Sequence, residues 1–155
     1  MNRFTQIRQN IIDVLGAVPA LVGIPVHAIV ARTDIWGVFA QGTGIGVART
    51  GANWDLRAHD LNYYVDQPTG VMFEIVIKTD CPVENASGLV DDGQAEDLEA
   101  AVLAAFANDI GIPGETGELH LIATTDRVMV HPNRAAGGAG PVALVLSCLV
   151  TPMWM

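Results

Sequence analysis

The stretch that decides the fold reads Val71-Met72-Phe73-Glu74-Ile75-Val76-Ile77-Lys78. Its β-branched and aromatic residues favour a pleated strand over a helix. The apolar run is nearly continuous, which is typical of a strand that is covered on both faces. We therefore predict a strand at residues 71–78 and place it in the centre of a sheet.

Helical periodicity lies on both sides of this strand. Before it, apolar residues recur at three- and four-residue steps over residues 3–16, and Gly16 ends the pattern. After it, Asp91 and Asp92 suit the cap and first turn of a second helix, because the helix dipole favours negative charge there. An apolar stripe follows them, and Gly111 ends the second helix.

Further strands are predicted at residues 24–30, 45–49, 119–125, 127–131 and 142–150. The order is helix, strand, irregular middle, strand, helix and then two or three strands. This order predicts an α+β fold with a largely antiparallel sheet and two main helices packed on one face. We expect a single domain over residues 1–155, with an irregular arm or hairpin at about 32–70.

Composition favours a protein that assembles with others. Half of the 155 residues are hydrophobic and only 16% are charged, and the mean hydropathy is +0.35. An average domain has roughly a quarter charged residues, so some apolar surface here is expected to meet a partner. The net charge of -9 argues against a surface that grips nucleic-acid phosphates or anionic lipids.

The acidic residues are concentrated in one part of the chain. Eleven of the seventeen lie between Lys78 and Arg127, where there is no basic residue: Asp80, Glu84, Asp91, Asp92, Glu96, Asp97, Glu99, Asp109, Glu115, Glu118 and Asp126. A solvated helix face with acidic loops is the favoured explanation. The alternative is a surface that repels DNA or meets a basic partner.

The glycine-rich segment Gly42–Gly46 does not fit a nucleotide-binding fingerprint. Such a loop joins a strand to a helix, whereas residues 45–49 look like a strand. The third glycine also comes one position early, and no Lys-Ser/Thr pair follows. A flexible loop is the simpler interpretation, and no cofactor is predicted.

No catalytic or metal site is predicted either. His120 and His131, with Asp126 between them, could form a proton-shuttling pair, but that would need a cleft and a nucleophile. Neither Ser147 nor Cys148 lies on a sharp strand-to-helix turn. No histidine pair has the helical spacing of a zinc site, and the two cysteines share no metal-ligand spacing. Cys148 is expected to be a buried free thiol.

The candidate functional residues are therefore ones suited to protein contacts. Aromatic, methionine and arginine side chains are enriched at interface cores. The candidates are Trp36, Phe39, Trp54, Tyr63, Tyr64, Arg134, Met153 and Trp154. For the chain end at Met153 and Trp154, packing on its own domain is an equal alternative to anchoring a neighbouring subunit.

The element order resembles that of the tail terminator proteins of long-tailed bacteriophages. The matching pieces are the opening helix through residues 11–15, the central strand 73–78, the helix 96–109, and a closing hairpin of 127–131 and 142–150. Together the resemblance covers about two thirds of the chain. Residues 32–70 depart from the pattern.

The resemblance implies a structural virion protein with no cofactor. Such proteins form a ring, usually hexameric, that seats on the last tail-tube ring, ends its growth and presents a surface to head-completion or stopper proteins. DNA would pass through the lumen without specific binding, and an acidic or neutral lining suits that passage. The expected location is the tail–neck region of the virion, after assembly in the host cytoplasm and without a membrane.

Two alternatives stay open. One is another neck component, such as a stopper or head–tail joining protein. The other is a small ligand-binding or enzymatic domain that uses the Gly42–Gly46 segment or the His120/His131 pair.

Overall fold

The structure is a computed structural model that describes residues 3–53, 70–79, 93–106, 118–130 and 142–151. In chain order its helices and strands are α1 (Arg3–Gly16), β1 (Val26–Ile29), α2 (Ile35–Val38), β2 (Gly44–Asn53), β3 (Gly70–Thr79), α3 (Gly93–Phe106), β4 (Glu118–Val130) and β5 (Val142–Thr151). Two short 3₁₀ turns lie at Pro19–Leu21 and Arg32–Asp34.

The five strands form one sheet in the order β1-β2-β3-β5-β4. Strand β3 is in the middle, as its apolar run predicts. The pairings β2–β3, β3–β5 and β4–β5 are antiparallel, and β1–β2 is parallel. The prediction of an α+β fold with a largely antiparallel sheet is confirmed. The parallel pair requires a crossover connection, which residues 30–43 supply.

One face of the sheet carries the main core, under both long helices. The apolar stripe of α1 is fully buried at Ile7, Ile11 and Leu15. It packs with Val102 and Phe106 of α3 against alternate residues of β2, β3 and β5. Because side chains alternate along a strand, one set of positions faces these helices and the other set faces away. Both main helices therefore lie on the same side, as the sequence predicts.

A smaller core covers the opposite face of the sheet. It is built on Ile35 and Phe39, in and just after α2, which pack against Val76 of β3 and Val145 of β5. Of the irregular arm or hairpin expected at 32–70, residues 54–69 lie outside the described residues, so only its two ends can be compared. Strands β2 and β3 do pair as antiparallel neighbours, but residues 32–38 form two short helical turns that pack on the sheet.

Strand β4 replaces the two separate strands expected at 119–125 and 127–131. It is one element, Glu118–Val130, with irregular pairing to β5. Thr125 is opposite Leu146 and Arg127 is opposite Val145, so Asp126 has no partner residue of its own. This is the pattern of a β-bulge, in which one extra residue is accommodated without ending the strand.

Candidate interaction surfaces

Two exposed valines lie close together beside the outer strand β1. Val30 is 83% exposed and Val38 is 48% exposed. Both line an open groove of about 500 Å³ together with Ala28, Ile29, Thr33, Asp34 and Gly37. Beside this groove, β1 ends the order of the described strands, so among these strands it is paired on one side only. An apolar patch next to an outer strand is a surface that proteins use for contacts with other chains.

The wall of this groove is fixed by a salt bridge to the middle of the sheet. Arg32 donates two hydrogen bonds to the carboxylate of Glu74 on β3. The Glu74 side chain is 8% exposed and that of Arg32 is 25% exposed. In addition, the N–H of Ala31 donates to the Asp34 carboxylate at 2.9 Å, which closes the 3₁₀ turn. These contacts hold residues 31–34 on the sheet.

A buried lysine anchors the other end of the same crossover. Lys78 of β3 is fully buried, and its ammonium donates a hydrogen bond of 2.6 Å to the carbonyl of Gly42. A buried ammonium needs such acceptors, because removal from water disfavours its charge. Both charged residues of β3 therefore bind the segment that connects β1 to β2.

The glycines of Gly42–Gly46 have a packing role in this structure. A side-chain carbon at Gly44 would collide with the ring of Phe39, and one at Gly46 would lie 2.6 Å from Cδ1 of Ile29. Gly42 has a φ of 83°, which disfavours other residues. Gly44 and Gly46 lie within strand β2, so the arrangement lacks the strand–loop–helix geometry that binds a pyrophosphate.

Cys148 cannot serve as a ready nucleophile. It is a free, fully buried cysteine, as predicted, and its thiol donates to the carbonyl of Phe73 at 3.4 Å. Burial, with a smaller effect from the Glu74 carboxylate, raises the pKa of Cys148 to about 12. The thiolate is the reactive form, so a raised pKa keeps this thiol inert at neutral pH.

The histidine hypothesis falls largely outside the described residues. His120 lies in β4 opposite Leu149, whereas His131 is not among the residues described. In the ranges that the structure covers, no three His, Cys, Asp or Glu side chains are grouped as metal ligands would be.

In the same ranges, no helix combines the length and apolarity needed to cross a bilayer.

Of the predicted interface residues, two can be placed. Phe39 is 5% exposed and lies against the His27 ring, with 5.4 Å between ring centroids. It belongs to the core of its own chain, because the absence of a side chain at Gly44 leaves room for its ring. Trp36 is half-buried and packs on the same small core. The remaining six lie outside the described residues: Trp54, Tyr63, Tyr64, Arg134, Met153 and Trp154.

A second pocket, which the sequence does not indicate, contains two arginines. It has a volume of about 260 Å³ and is lined by Phe4, Thr5, Arg8, Val30 and Arg49. The guanidinium carbon of Arg49 lies 4.5 Å from the centroid of the Phe4 ring. Arg8 reaches the carbonyl of Ile29 at 3.5 Å. Only the tertiary fold brings β2 and α1 together here, so no local spacing could have shown it.

Comparison with known proteins assigns no family to this chain. A scan against models of protein families and a search of curated proteins both gave no match.

Proposed function

We propose that this chain is a structural protein that assembles into a ring, and that the ring caps a phage tail tube. The observation that carries the assembly part is the exposed apolar groove around Val30 and Val38, beside the outer strand β1. Only 16% of the residues are charged, and valines are exposed next to the strand that ends the described part of the sheet. Both observations favour protein contacts over a fully solvated surface.

The tail-terminator part is supported by the order of elements. The structure contains an opening helix, a central strand, a second long helix and a closing antiparallel pair of strands, β4 and β5. These are the pieces on which the resemblance to tail terminators rests. A closed ring needs two different complementary patches on each subunit, and such patches would bury the exposed apolar surface.

The enzymatic alternative has less support. The glycines that suggested a cofactor loop are explained by packing against Phe39 and Ile29, and the Cys148 thiol is protonated at neutral pH. Neither the glycine segment nor Cys148 therefore supplies a group that would bind a cofactor or react with a substrate.

The test of the proposal has two stages. Native mass measurement and negative-stain images of the purified protein, alone and with tail tubes, should show rings with a central hole. A protein that stays monomeric under both conditions and binds a nucleotide would contradict assembly. Deleting the gene from the phage that carries it should then give overlong tail tubes. Tubes of normal length that fail to join heads would instead identify a head–tail joining protein.

A further inference from the structure

The pocket that contains Arg8 and Arg49, called the arginine pocket below, is a basic site in an acidic protein. The chain has 8 basic and 17 acidic residues, yet two of the basic ones line a single pocket. Within the part of the chain that the structure describes, neither Arg8 nor Arg49 forms a salt bridge with a carboxylate. Guanidinium groups bind carboxylates with paired, directional hydrogen bonds. The pocket is thus suited to an incoming carboxylate.

The apolar residues at the rim of the pocket limit which kind of surface can carry the bound carboxylate. Val30 is 83% exposed, and the Phe4 ring lies under the Arg49 guanidinium. The site therefore combines two arginines and Thr5 with apolar groups. This combination suits an acidic side chain that has small apolar neighbours on a helix.

Helix α3 of the same chain presents such a surface. Its exposed positions are Asp97, Ala100 and Ala104, which share one helical face because they are spaced by three and four residues. Asp97 forms no salt bridge within the described part of the chain. The alanines leave the helix surface shallow, so another subunit can approach it closely.

The two patches lie over different strands of the sheet. The pocket lies where the first half of α1 meets the end of β1 and the middle of β2. Helix α3 packs against β3, β4 and β5, and it touches only the last part of α1 and the turn that follows it. Because the strand order separates β1 and β2 from β4 and β5, the pocket of one copy can meet α3 of the next. This is the head-to-tail arrangement that a cyclic ring requires.

We propose that the pocket between Arg8 and Arg49 receives Asp97 from α3 of a second copy of this chain, and that this is the repeated contact of the ring. The inference rests on the proposed function and specifies one of its interfaces. Two subunits of like net charge repel each other at long range, but salt screens that repulsion beyond about 8 Å at physiological ionic strength. The local pairing therefore decides whether the contact forms.

A charge exchange tests this pairing. Arg49→Glu and Asp97→Lys should each raise the protein concentration at half-assembly by about tenfold or more, since each places like charges together. The double variant Arg49→Glu/Asp97→Lys should return to within about threefold of the starting protein, because it restores opposite charges. Asp13→Lys is the matched control, since Asp13 is exposed on α1 and lines neither patch; it should assemble normally.

The outcomes separate this inference from the proposed function. Absence of rings in the unaltered protein, with and without tail tubes, would contradict the proposed function. Rings that form equally well with Arg49→Glu or Asp97→Lys would overturn the pairing and leave the proposed function intact. A double variant that folds but does not recover would also overturn it. Circular dichroism establishes folding, and Arg8→Glu with Asp97→Lys replaces the pair if Arg49→Glu does not fold.

Discussion

Arg32 and Glu74 form a paired salt bridge that joins the β1–β2 crossover to the central strand of the sheet. The two residues are 42 positions apart in sequence, and the carboxylate is almost buried. The bridge therefore fixes the position of residues 31–34, of which Thr33 and Asp34 line the groove that contains Val30 and Val38. Its removal should affect both stability and the shape of this surface.

Replacing only one partner should be costly. Arg32→Ala would leave Glu74 buried without its counter-ion, and we expect a loss of about 3 kcal/mol in the free energy of unfolding. The double variant Arg32→Met/Glu74→Leu should lose less, because it leaves no unpaired charge at this position. Urea unfolding measures both values. Equal losses in the two variants would show that the charge pairing does not matter.

Gly44→Ala should destabilise the protein because the added carbon meets the Phe39 ring. We expect a loss of about 1–3 kcal/mol, the usual range for overpacking a core. Gly37→Ala is the matched control, since Gly37 has open space around it and lies in α2, where alanine is favoured by up to about 1 kcal/mol.

A double variant tests whether the Phe39 ring is the reason for glycine at position 44. In a Phe39→Ala background, Gly44→Ala should cost less than it does alone, because the colliding ring is gone. An undiminished cost in thermal or urea unfolding would show that the Phe39 ring is not the reason for glycine here.

Cys148 should make stability depend on alkaline pH. Its pKa rises from 9.0 to about 12 in the folded protein, so the folded state holds the proton more tightly than the unfolded chain. The resulting stabilisation is complete below about pH 9 and is lost as the pH rises toward about 12, at about 1.4 kcal/mol per pH unit. The stability difference between the unaltered protein and Cys148→Ala should shrink accordingly over this range. A difference that stays constant would contradict the raised pKa.

Val30 and Val38 should contribute to assembly and little to folding. The double variant Val30→Ser/Val38→Ser should weaken ring formation by about tenfold or more, since both side chains leave water when a partner covers the groove. Its unfolding free energy should change by less than about 0.5 kcal/mol. Val22→Ser is the control, because Val22 is 79% exposed and does not line the groove. Equal assembly of all three proteins by native mass measurement would remove the support that the groove gives to the proposal.

The sequence predicts those elements whose pattern repeats along the chain. The continuous apolar run of β3 and the spacing of Ile7, Ile11 and Leu15 in α1 both reflect burial that is visible in local periodicity. Helix α2 is not predicted, because its four residues are too few to show a helical period. A helix this short depends on tertiary packing, here that of Ile35 against the sheet. The sequence pattern predicts two strands where β4 is one, because a bulge at Asp126 interrupts the alternation of side chains without ending the strand.

The candidate sites were harder to predict than the fold. The arginine pocket combines residues from α1, β2 and the end of β1, and no spacing in sequence records that meeting. Similarly, the need for glycine at position 44 depends on Phe39, which sequence inspection assigns equally well to an interface. Such assignments depend on which side chains face each other across elements, and composition does not contain that information.

The short outer strand β1 has one further consequence, for hydrogen exchange. Its four residues pair with a single neighbour, so its amide protons can exchange through local opening of that edge, without unfolding of the sheet. The central strand β3 is paired on both sides and should exchange only when the whole domain opens. Covering of the edge by a neighbouring subunit would then appear as slower exchange in β1 with no change in β3.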